Sequence, residues 1–268
     1  MWNINELKNV KTMSEKNEMF DKIFNEDCLD GMARIPEKSI DAIICDLPYG
    51  KTKCSWDIVI PMQQLWPIWW RICKENAPIV LFGTEPFSSI MRLSNIKDFK
   101  YDWIWNKRNA SGFLNAKKQP LRTNEIISVF YKKQCTYNPQ MSEDRHKVAF
   151  IYDGTITDSE IYNKCKPFYR RTEKDALAYP KSVLNFTGVV NSSKEKVGHP
   201  TQKPVALLEY LVKTYTNEGD IVLDCCIGSG TTAIACIKNN RRFIGFELEK
   251  KYYDIAMKRI KEAQQTIF

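Results

Sequence analysis

The sequence has little of what membrane, secreted or zinc-binding proteins are built from. No apolar run in its 268 residues approaches the length of a membrane span. The segment from Met1 to Phe20 mixes Asn, Lys and Glu, so we expect neither a signal peptide nor a membrane anchor. There are only two histidines, and none of the nine cysteines stands in Cys-x-x-Cys spacing. We therefore predict no metal site, and reduced thiols in a cytoplasmic protein.

Positive charge is in excess, and it is unevenly placed along the chain. The formal net charge is +8, and residues 97–147 carry eleven Lys and Arg against five Asp and Glu. Residues 160–203 carry nine against four. Basic segments interleaved with Tyr, Trp and Asn are typical of a surface that follows a phosphate backbone. A solvated basic face without a partner is the alternative.

Short apolar runs alternate with helical patterns over residues 22–131 and again after Pro204. This alternation predicts an α/β fold with a doubly wound, mixed and mainly parallel sheet. Residues 132–190 are polar, basic and rich in Tyr, and they break the alternation. They are too aromatic for a free linker, so we interpret them as an inserted module between residues 1–131 and 191–268.

The first motif, Asp46-Leu47-Pro48-Tyr49-Gly50, directly follows the predicted strand Asp41 to Cys45. It places a carboxylate, an aromatic ring and a rigid turn at the carboxyl end of a strand, where open α/β sheets bind ligands. The alternative is purely structural, with Asp46 bonded to nearby backbone amides and Tyr49 packed as a core ring.

The second motif is a glycine turn near the C-terminus. Gly228 and Gly230 allow close approach of a ligand to the backbone, and a helix from Thr231 directs its amides at the same place. Glu247 ends the next strand, where an acid can hold two ribose hydroxyls. The Gly-x-Gly-x-x-Ala spacing also fits an NAD oxidoreductase. Asp224 favours a cofactor with an ammonium group over a pyrophosphate.

In this order the motifs resemble the β-class amino DNA methyltransferases, in which the catalytic motif precedes the cofactor motif. Asp46-Leu47-Pro48-Tyr49 matches the family's Asp/Asn/Ser-Pro-Pro-Tyr signature, with Leu47 in place of the first proline. Residues 224–232 match its cofactor motif, and residues 199–204 match a motif ending in Lys-Pro. The resemblance covers nearly all of residues 22–263 apart from the inserted module.

The resemblance implies a fold of the S-adenosylmethionine-dependent methyltransferase type, with residues 132–190 as the target-recognition module. The catalytic residues that it implies are Asp46, Leu47, Pro48 and Tyr49. The cofactor-binding residues are Asp27, Cys28, Lys203, Asp224, Gly228, Gly230, Thr231, Thr232 and Glu247. We assign DNA binding to Lys117, Lys118, Arg122, Arg170 and Arg171.

The implied reaction is methyl transfer from S-adenosylmethionine to the N6 amino group of a flipped adenine at a specific DNA site. Family members with Asp at the position of Asp46 mostly modify adenine, and those with Ser mostly modify cytosine, so N4-cytosine methylation is the alternative. A catalytically silent DNA-binding protein is another. No Pro-Cys dipeptide is present, which speaks against a carbon-5 cytosine enzyme. The resemblance further implies a nucleoid-associated protein of bacterial or phage origin, as in restriction-modification systems, able to form a homodimer.

Overall fold

The computed structural model describes residues 19–52, 54, 56–142 and 177–266. The chain divides into two compact units, one formed by Met1–Asn138 with Ser182–Phe268 and the other by Pro139–Lys181. In the second unit, an isolated bridge joins Ser142 and Ala178. The predicted DNA-binding residues Arg170 and Arg171 lie outside the described residues.

The first unit is built from eight strands and six α-helices among its described residues. The strands are β1 (Lys22–Phe24), β2 (Ala42–Cys45), β3 (Ile79–Gly83), β4 (Phe99–Ser111), β5 (Arg122–Phe130), β6 (Val183–Asn185), β7 (Ile221–Asp224) and β8 (Arg242–Phe246). The helices are α1 (Cys28–Ala33), α2 (Met62–Ile72), α3 (Phe87–Leu93), α4 (Val205–Tyr215), α5 (Thr231–Lys238) and α6 (Lys250–Thr266). None of the described helices is long and apolar enough to cross a membrane.

The eight strands form one sheet in the order β1-β8-β7-β2-β3-β5-β4-β6. Neighbouring described strands run parallel except at β5, which is antiparallel to both β3 and β4. The predicted mixed, mainly parallel sheet is therefore confirmed. Strands β2 and β3 are buried along their whole length, as expected for central strands covered on both faces.

Apolar side chains fill the space on both faces of the sheet. On one face, Ile44 and Phe82 belong to the same core cluster as residues of α4, α5 and α6. On the other face, Ile43 and Cys45 share a cluster with residues of α1, α2 and α3. Successive residues of a strand point to opposite faces, so the continuous apolar run of β2 serves both layers. The result is a three-layer α/β/α arrangement.

Strand order reverses between β7 and β2, which lie side by side at the centre of the sheet. Ile43 of β2 is in register with Leu223 of β7. The chain continues from β2 to β3 on one side and from β7 to β8 on the other. Ligands of open α/β sheets bind in the crevice outside such a switch point. Asp46 and Asp224 both stand at this edge.

Two local features differ from the sequence-based expectation. Strand β6 lies within the predicted module 132–190, yet Val183 pairs with Ile104 of β4 in the main sheet, so the second unit is narrower than the predicted module. A three-residue strand carries too little periodicity to be recognised in a polar segment. The second feature is Pro67, which lies inside α2 although proline is disfavoured in a helix interior. Burial of Leu65, Trp66 and Trp69 on that helix offsets the roughly 3 kcal/mol cost of an interior proline.

Candidate active site

A cavity of about 430 Å³ opens at the carboxyl ends of the central strands. This volume lies within the range of small-molecule and cofactor sites. Asp46, Leu47, Pro48 and Tyr49 all line it. Eight of the nine predicted cofactor residues line the same cavity, namely Asp27, Cys28, Lys203, Asp224, Gly228, Thr231, Thr232 and Glu247. The ninth, Gly230, is the N-cap of α5.

The Asp46 carboxylate is the first side chain beyond the end of β2, and both its oxygens accept hydrogen bonds. The Tyr49 hydroxyl donates to Oδ1, and the Lys203 ammonium donates to Oδ2. The Tyr49 ring packs against Phe87 with ring centroids 5.0 Å apart. Asp46 and Tyr49 are therefore held by each other and by the surrounding core, which fixes their orientation at the cavity wall.

The turn after Tyr49 is held by a second carboxylate. Asp57 accepts hydrogen bonds from the backbone amides of Gly50 at 2.9 Å, Lys51 at 2.8 Å and Thr52 at 2.6 Å. Gly50 has a φ of +66°, a conformation that glycine adopts without strain. These three bonds fix the segment that follows the first motif.

Asp46 belongs to a cluster of four charged groups, of which Lys203 is buried and the other three are part-buried. The Lys203 ammonium lies 3.4 Å from Oε2 of Glu125, and the Lys107 ammonium lies 3.2 Å from Oε1 of Glu125. With the Lys203 to Asp46 ion pair, the cluster holds two carboxylates and two ammonium groups and is formally neutral. Lys203 was predicted to bind the cofactor, but its ammonium is bonded to the catalytic-motif carboxylate. Pairing of this kind is what makes buried charge tolerable.

The environment of the cluster shifts its pKa values. Burial raises the pKa of Asp46, and the Lys203 charge opposes this effect. Burial by itself lowers the pKa of Lys203, but Asp46 and Glu125 outweigh it and raise that pKa. Burial and the adjacent Asp46 charge raise the pKa of Tyr49 well above its usual range, so its hydroxyl stays a neutral donor.

The glycine turn is organised by Asp224, the last residue of β7. Its Oδ2 accepts a hydrogen bond from the Thr232 hydroxyl at 2.6 Å, and its Oδ1 accepts one from the Cys226 amide at 3.1 Å. Gly228 and Gly230 have φ values of +55° and +80°, so the turn depends on residues without a side chain. Burial raises the pKa of Asp224 well above its usual range.

Glu247 faces the glycine turn from the end of β8. Its Oε2 accepts a hydrogen bond from the Gly228 amide at 2.9 Å, and its Oε1 accepts one from the Glu249 amide at 2.8 Å. Burial raises its pKa, and these two amides oppose the shift. At the same wall, Asp27 caps α1 by accepting a bond from the Leu29 amide at 2.7 Å. Two acids thus stand beside the turn, with fixed orientations.

A family model described as DNA methylase (N6_N4_Mtase) matches residues 40–258, which is most of the chain and includes both motifs. The chain belongs to this DNA methylase family. Membership confirms the predicted class, an S-adenosylmethionine-dependent DNA methyltransferase. The alternative of an NAD oxidoreductase is therefore dropped.

Individual relatives match nearly the whole methylase. Type II methyltransferase M1.MboII of Moraxella bovis is 29% identical over 258 residues, covering 88% of this chain and 94% of the relative. The DNA adenine methyltransferase YhdJ of Escherichia coli (strain K12) is 28% identical over 253 residues, covering 89% and 82%.

Solved structures of DNA methyltransferases share the fold. The complex of M1.HpyAVI with S-adenosylmethionine matches with a TM-score of 0.57 and 25% identity, covering 89% of the methylase and 98% of that chain. The cytosine-N4-specific PvuII DNA methyltransferase matches with a TM-score of 0.62 but only 14% identity, covering 92% of each chain. The second likeness shows the fold alone.

Three aromatic side chains that line the cavity, Trp56, His199 and Tyr252, were not predicted as site residues from the sequence. The His199 ring lies 4.3 Å from the Tyr252 ring and 5.7 Å from the Trp56 ring, measured between centroids. Burial lowers the pKa of His199 to about 4, so this ring is neutral at physiological pH. A Cβ at Gly228 would lie 3.1 Å from Nε2 of His199, so the ring packs directly on the glycine turn. His199 stands in the matched Lys-Pro motif, which was the available signal.

Three cysteines meet beside the cavity, and Cys225 and Cys226 are part of its lining. The sulfur atoms of Cys45, Cys225 and Cys226 lie within 4.8 Å of one another, and Cys45 Sγ is 3.3 Å from Cys225 Sγ. Cys45 and Cys225 are 180 positions apart and meet because β2 and β7 are neighbours. A search for local Cys-x-x-Cys spacing misses such a grouping.

The predicted DNA-binding residues Lys117, Lys118 and Arg122 are all exposed. Lys117 and Lys118 lie in the connection between β4 and β5, after a short 3₁₀ helix at Phe113–Asn115, and Arg122 is the first residue of β5. Strand β5 is antiparallel to β3, and its start therefore lies at the edge where β3 ends. This is the same edge of the sheet as Asp46. The three basic side chains thus stand on the cavity side of the methylase.

We expect Lys203→Met to raise the pKa of Asp46 further, because the charge that opposes burial is lost. A carbon-13 NMR titration of labelled aspartate carboxyls measures this, with Asp46→Asn identifying the resonance. Lys107→Met is the matched control, since its ammonium contacts Glu125, and it should shift the Asp46 midpoint less. An Asp46 midpoint that is the same in Lys203→Met and in the unmodified protein would contradict this account of the cluster.

Proposed function

We propose that this methylase transfers the methyl group of S-adenosylmethionine to N6 of an adenine rotated out of the DNA duplex. The observation that carries the proposal is that the four residues of the first motif and the glycine turn line one cavity. A target base and a methyl donor bound there would meet at Asp46. The reaction would need this arrangement, because the nitrogen forms its bond to the methyl carbon as the bond from sulfur to that carbon breaks. S-adenosylhomocysteine is then the leaving group, and the methylated amino group releases one N–H proton to water.

The proposed chemistry follows from the electronic structure of an aromatic amino group. A base inside the duplex is inaccessible, so it is rotated into the cavity, where Tyr49 contacts its face. The amino nitrogen is a weak nucleophile because its lone pair is delocalised into the ring. Hydrogen bonds from its two N–H groups to the Asp46 carboxylate and the Leu47 carbonyl favour the pyramidal form. The same acceptors stabilise the positive charge that develops on nitrogen during attack.

The residues around the glycine turn are proposed to hold the methyl donor. Glu247 would bind the ribose hydroxyls, and Asp27 would meet the adenine end. Asp224 and the amides at the start of α5 would face the methionine end. Support comes from their positions, since all three acids line the cavity and have fixed orientations.

Adenine is preferred over cytosine as the target because Asp46 is the first residue of the motif. A relative named as a DNA adenine methyltransferase is 28% identical over most of the chain. N4-cytosine methylation is the second candidate, because an enzyme of that specificity shares the fold. Association with nucleoid DNA and a homodimeric state also belong to this proposal.

The deciding experiment measures the methylated nucleoside itself. Mixed-sequence DNA is incubated with the protein and isotopically labelled S-adenosylmethionine, then digested and analysed by mass spectrometry. We expect labelled N6-methyladenine. Asp46→Ala should lower kcat by about 100-fold or more while retaining cofactor affinity, because the lost acceptor acts mainly in the transition state.

The exposed Asp254→Ala variant is the control and should retain full activity. N4-methylcytosine as the main product would overturn the choice of base but leave the role of Asp46 intact. Cofactor binding without any methyl transfer would favour the catalytically silent alternative.

Glu247→Ala should weaken cofactor binding by about 1.5 to 3 kcal/mol, the range for hydrogen bonds to a charged group. Isothermal titration calorimetry with S-adenosylmethionine measures the loss. Glu247→Gln keeps a side chain of the same size and should show a smaller effect. Exposed Glu218→Ala is the matched control. Equal affinity in Glu247→Ala and Glu218→Ala would move the ribose contact to another residue.

The exposed loop between β4 and β5 is proposed to contact DNA beside the target base. Lys117 and Lys118 are exposed there, and Phe113 and Leu114 in the same connection are 67% and 101% exposed. Lysines that neutralise phosphates release counterions, and each contributes about 0.9 to the slope of log affinity against log salt. The predicted contacts of Arg170 and Arg171 belong to the proposed target-recognition module.

Replacing Lys117 and Lys118 together by Ala should reduce that salt slope by about two while leaving cofactor affinity unchanged. Fluorescence anisotropy of labelled DNA across a salt series measures it. The control replaces Lys258 and Lys261, two exposed lysines on α6. A slope that falls equally in both double variants would show that the loss of net charge, and not a local contact, is responsible.

A further inference from the structure

Each oxygen of the Asp46 carboxylate accepts one hydrogen bond from a neighbouring side chain. The Tyr49 hydroxyl bonds one oxygen and the Lys203 ammonium bonds the other. The Lys203 side chain is only 8% exposed, so solvent cannot readily replace its partner. An amino group that enters the cavity must therefore compete with a buried ammonium for Asp46.

Glu125 provides a second acceptor for that ammonium. Within the part of the chain that the structure describes, its buried Oε2 has no hydrogen-bond partner, although the Lys203 nitrogen is 3.4 Å away. Its other oxygen faces Lys107 at 3.2 Å. Glu125 is absent from the cavity lining, so it stands behind Lys203 and does not reach the base position.

We propose that Glu125 is a positioning residue that takes over the Lys203 ammonium when the target base enters. This inference rests on the proposed function and deepens it. Shortening the Lys203 to Glu125 separation from 3.4 Å to a charge-assisted hydrogen bond needs a movement of only about half an ångström. The proton stays on Lys203 throughout, and no covalent bond changes. Asp46 Oδ2 is then free to accept the N–H of the target amino group.

The exchange keeps the Lys203 ammonium paired, while Asp46 replaces its ion pair with a hydrogen bond from the target amino group and keeps the one from Tyr49. Lys203 lies between two carboxylates, and moving toward one of them does not leave its ammonium unpaired. An uncompensated buried charge would cost several kcal/mol, which a two-acceptor arrangement avoids. No charge enters or leaves the four-group cluster during the movement, so its formal net charge is zero in both positions.

Glu125→Gln tests the proposal, because it keeps the shape of the side chain and removes the charge that attracts Lys203. Lys203 should then stay on Asp46 and exclude the amino group. The methylation site is first mapped on DNA that the protein without substitutions has methylated. Two duplexes are then made, one with adenine at the target and one with purine, which lacks only the amino group.

We expect the unmodified protein to bind the adenine duplex more tightly than the purine duplex, and Glu125→Gln to lose most of that preference. Its kcat/KM for the adenine duplex should fall about tenfold or more, with S-adenosylmethionine affinity within twofold. A merely structural role would weaken both duplexes equally. Glu125→Asp retains the charge and should keep part of the preference.

Asp102→Asn is the matched control. Asp102 is a part-buried carboxylate on β4, paired with Arg92 at 3.0 Å and outside the cavity lining. It should retain both the adenine preference and the turnover. An unchanged preference in Glu125→Gln, or a loss of cofactor binding in both Glu125 variants, would overturn the proposal. Failure of the unmodified protein to methylate adenine would instead overturn the proposed function.

Discussion

The parallel pairing of β2 with β7 is the contact on which the site depends. It sets Ile43 beside Leu223, and so brings together two motifs that are nearly 180 residues apart. Because side chains at the carboxyl ends of neighbouring parallel strands share one edge, Asp46 and the turn beginning at Asp224 necessarily meet. The order of the motifs along the chain is then immaterial to the chemistry. What matters is that each of the two strands at the switch point is followed by one of the motifs.

Burial of the Asp46 carboxylate at this edge of the sheet disfavours its charged form. Burial drives a carboxylate toward its neutral form and raises the pKa of Asp46, yet the proposed role of Asp46 as a strong acceptor requires the charge. Lys203 supplies a compensating charge, and Glu125 with Lys107 keeps the cluster neutral. Because buried ion pairs add little net stability, the proposed role of the ion cluster is to set the charge state of Asp46.

Much of the fold could be predicted from the sequence, because it rests on local signals. Apolar runs such as β3 predict a parallel sheet, and the glycine turn at Gly228 predicts the edge at which a ligand binds. Contacts between distant segments could not be predicted in the same way. The ion pair between Lys203 and Asp46 depends on which strands are neighbours, and so does the proposed role of Glu125. No spacing in the sequence encodes that order of strands.

Leu47 stands where the family motif has its first proline, and this changes what restricts the turn. Proline would restrict the turn covalently, whereas here noncovalent contacts restrict it. The Leu47 side chain is 3% exposed in the core layer, and Asp57 holds three amides of the segment that follows. Since the carbonyl of residue 47 is the group that the proposed chemistry uses, any residue whose side chain is buried here can present it. The constraint therefore falls on packing around the turn more than on the identity of this one residue.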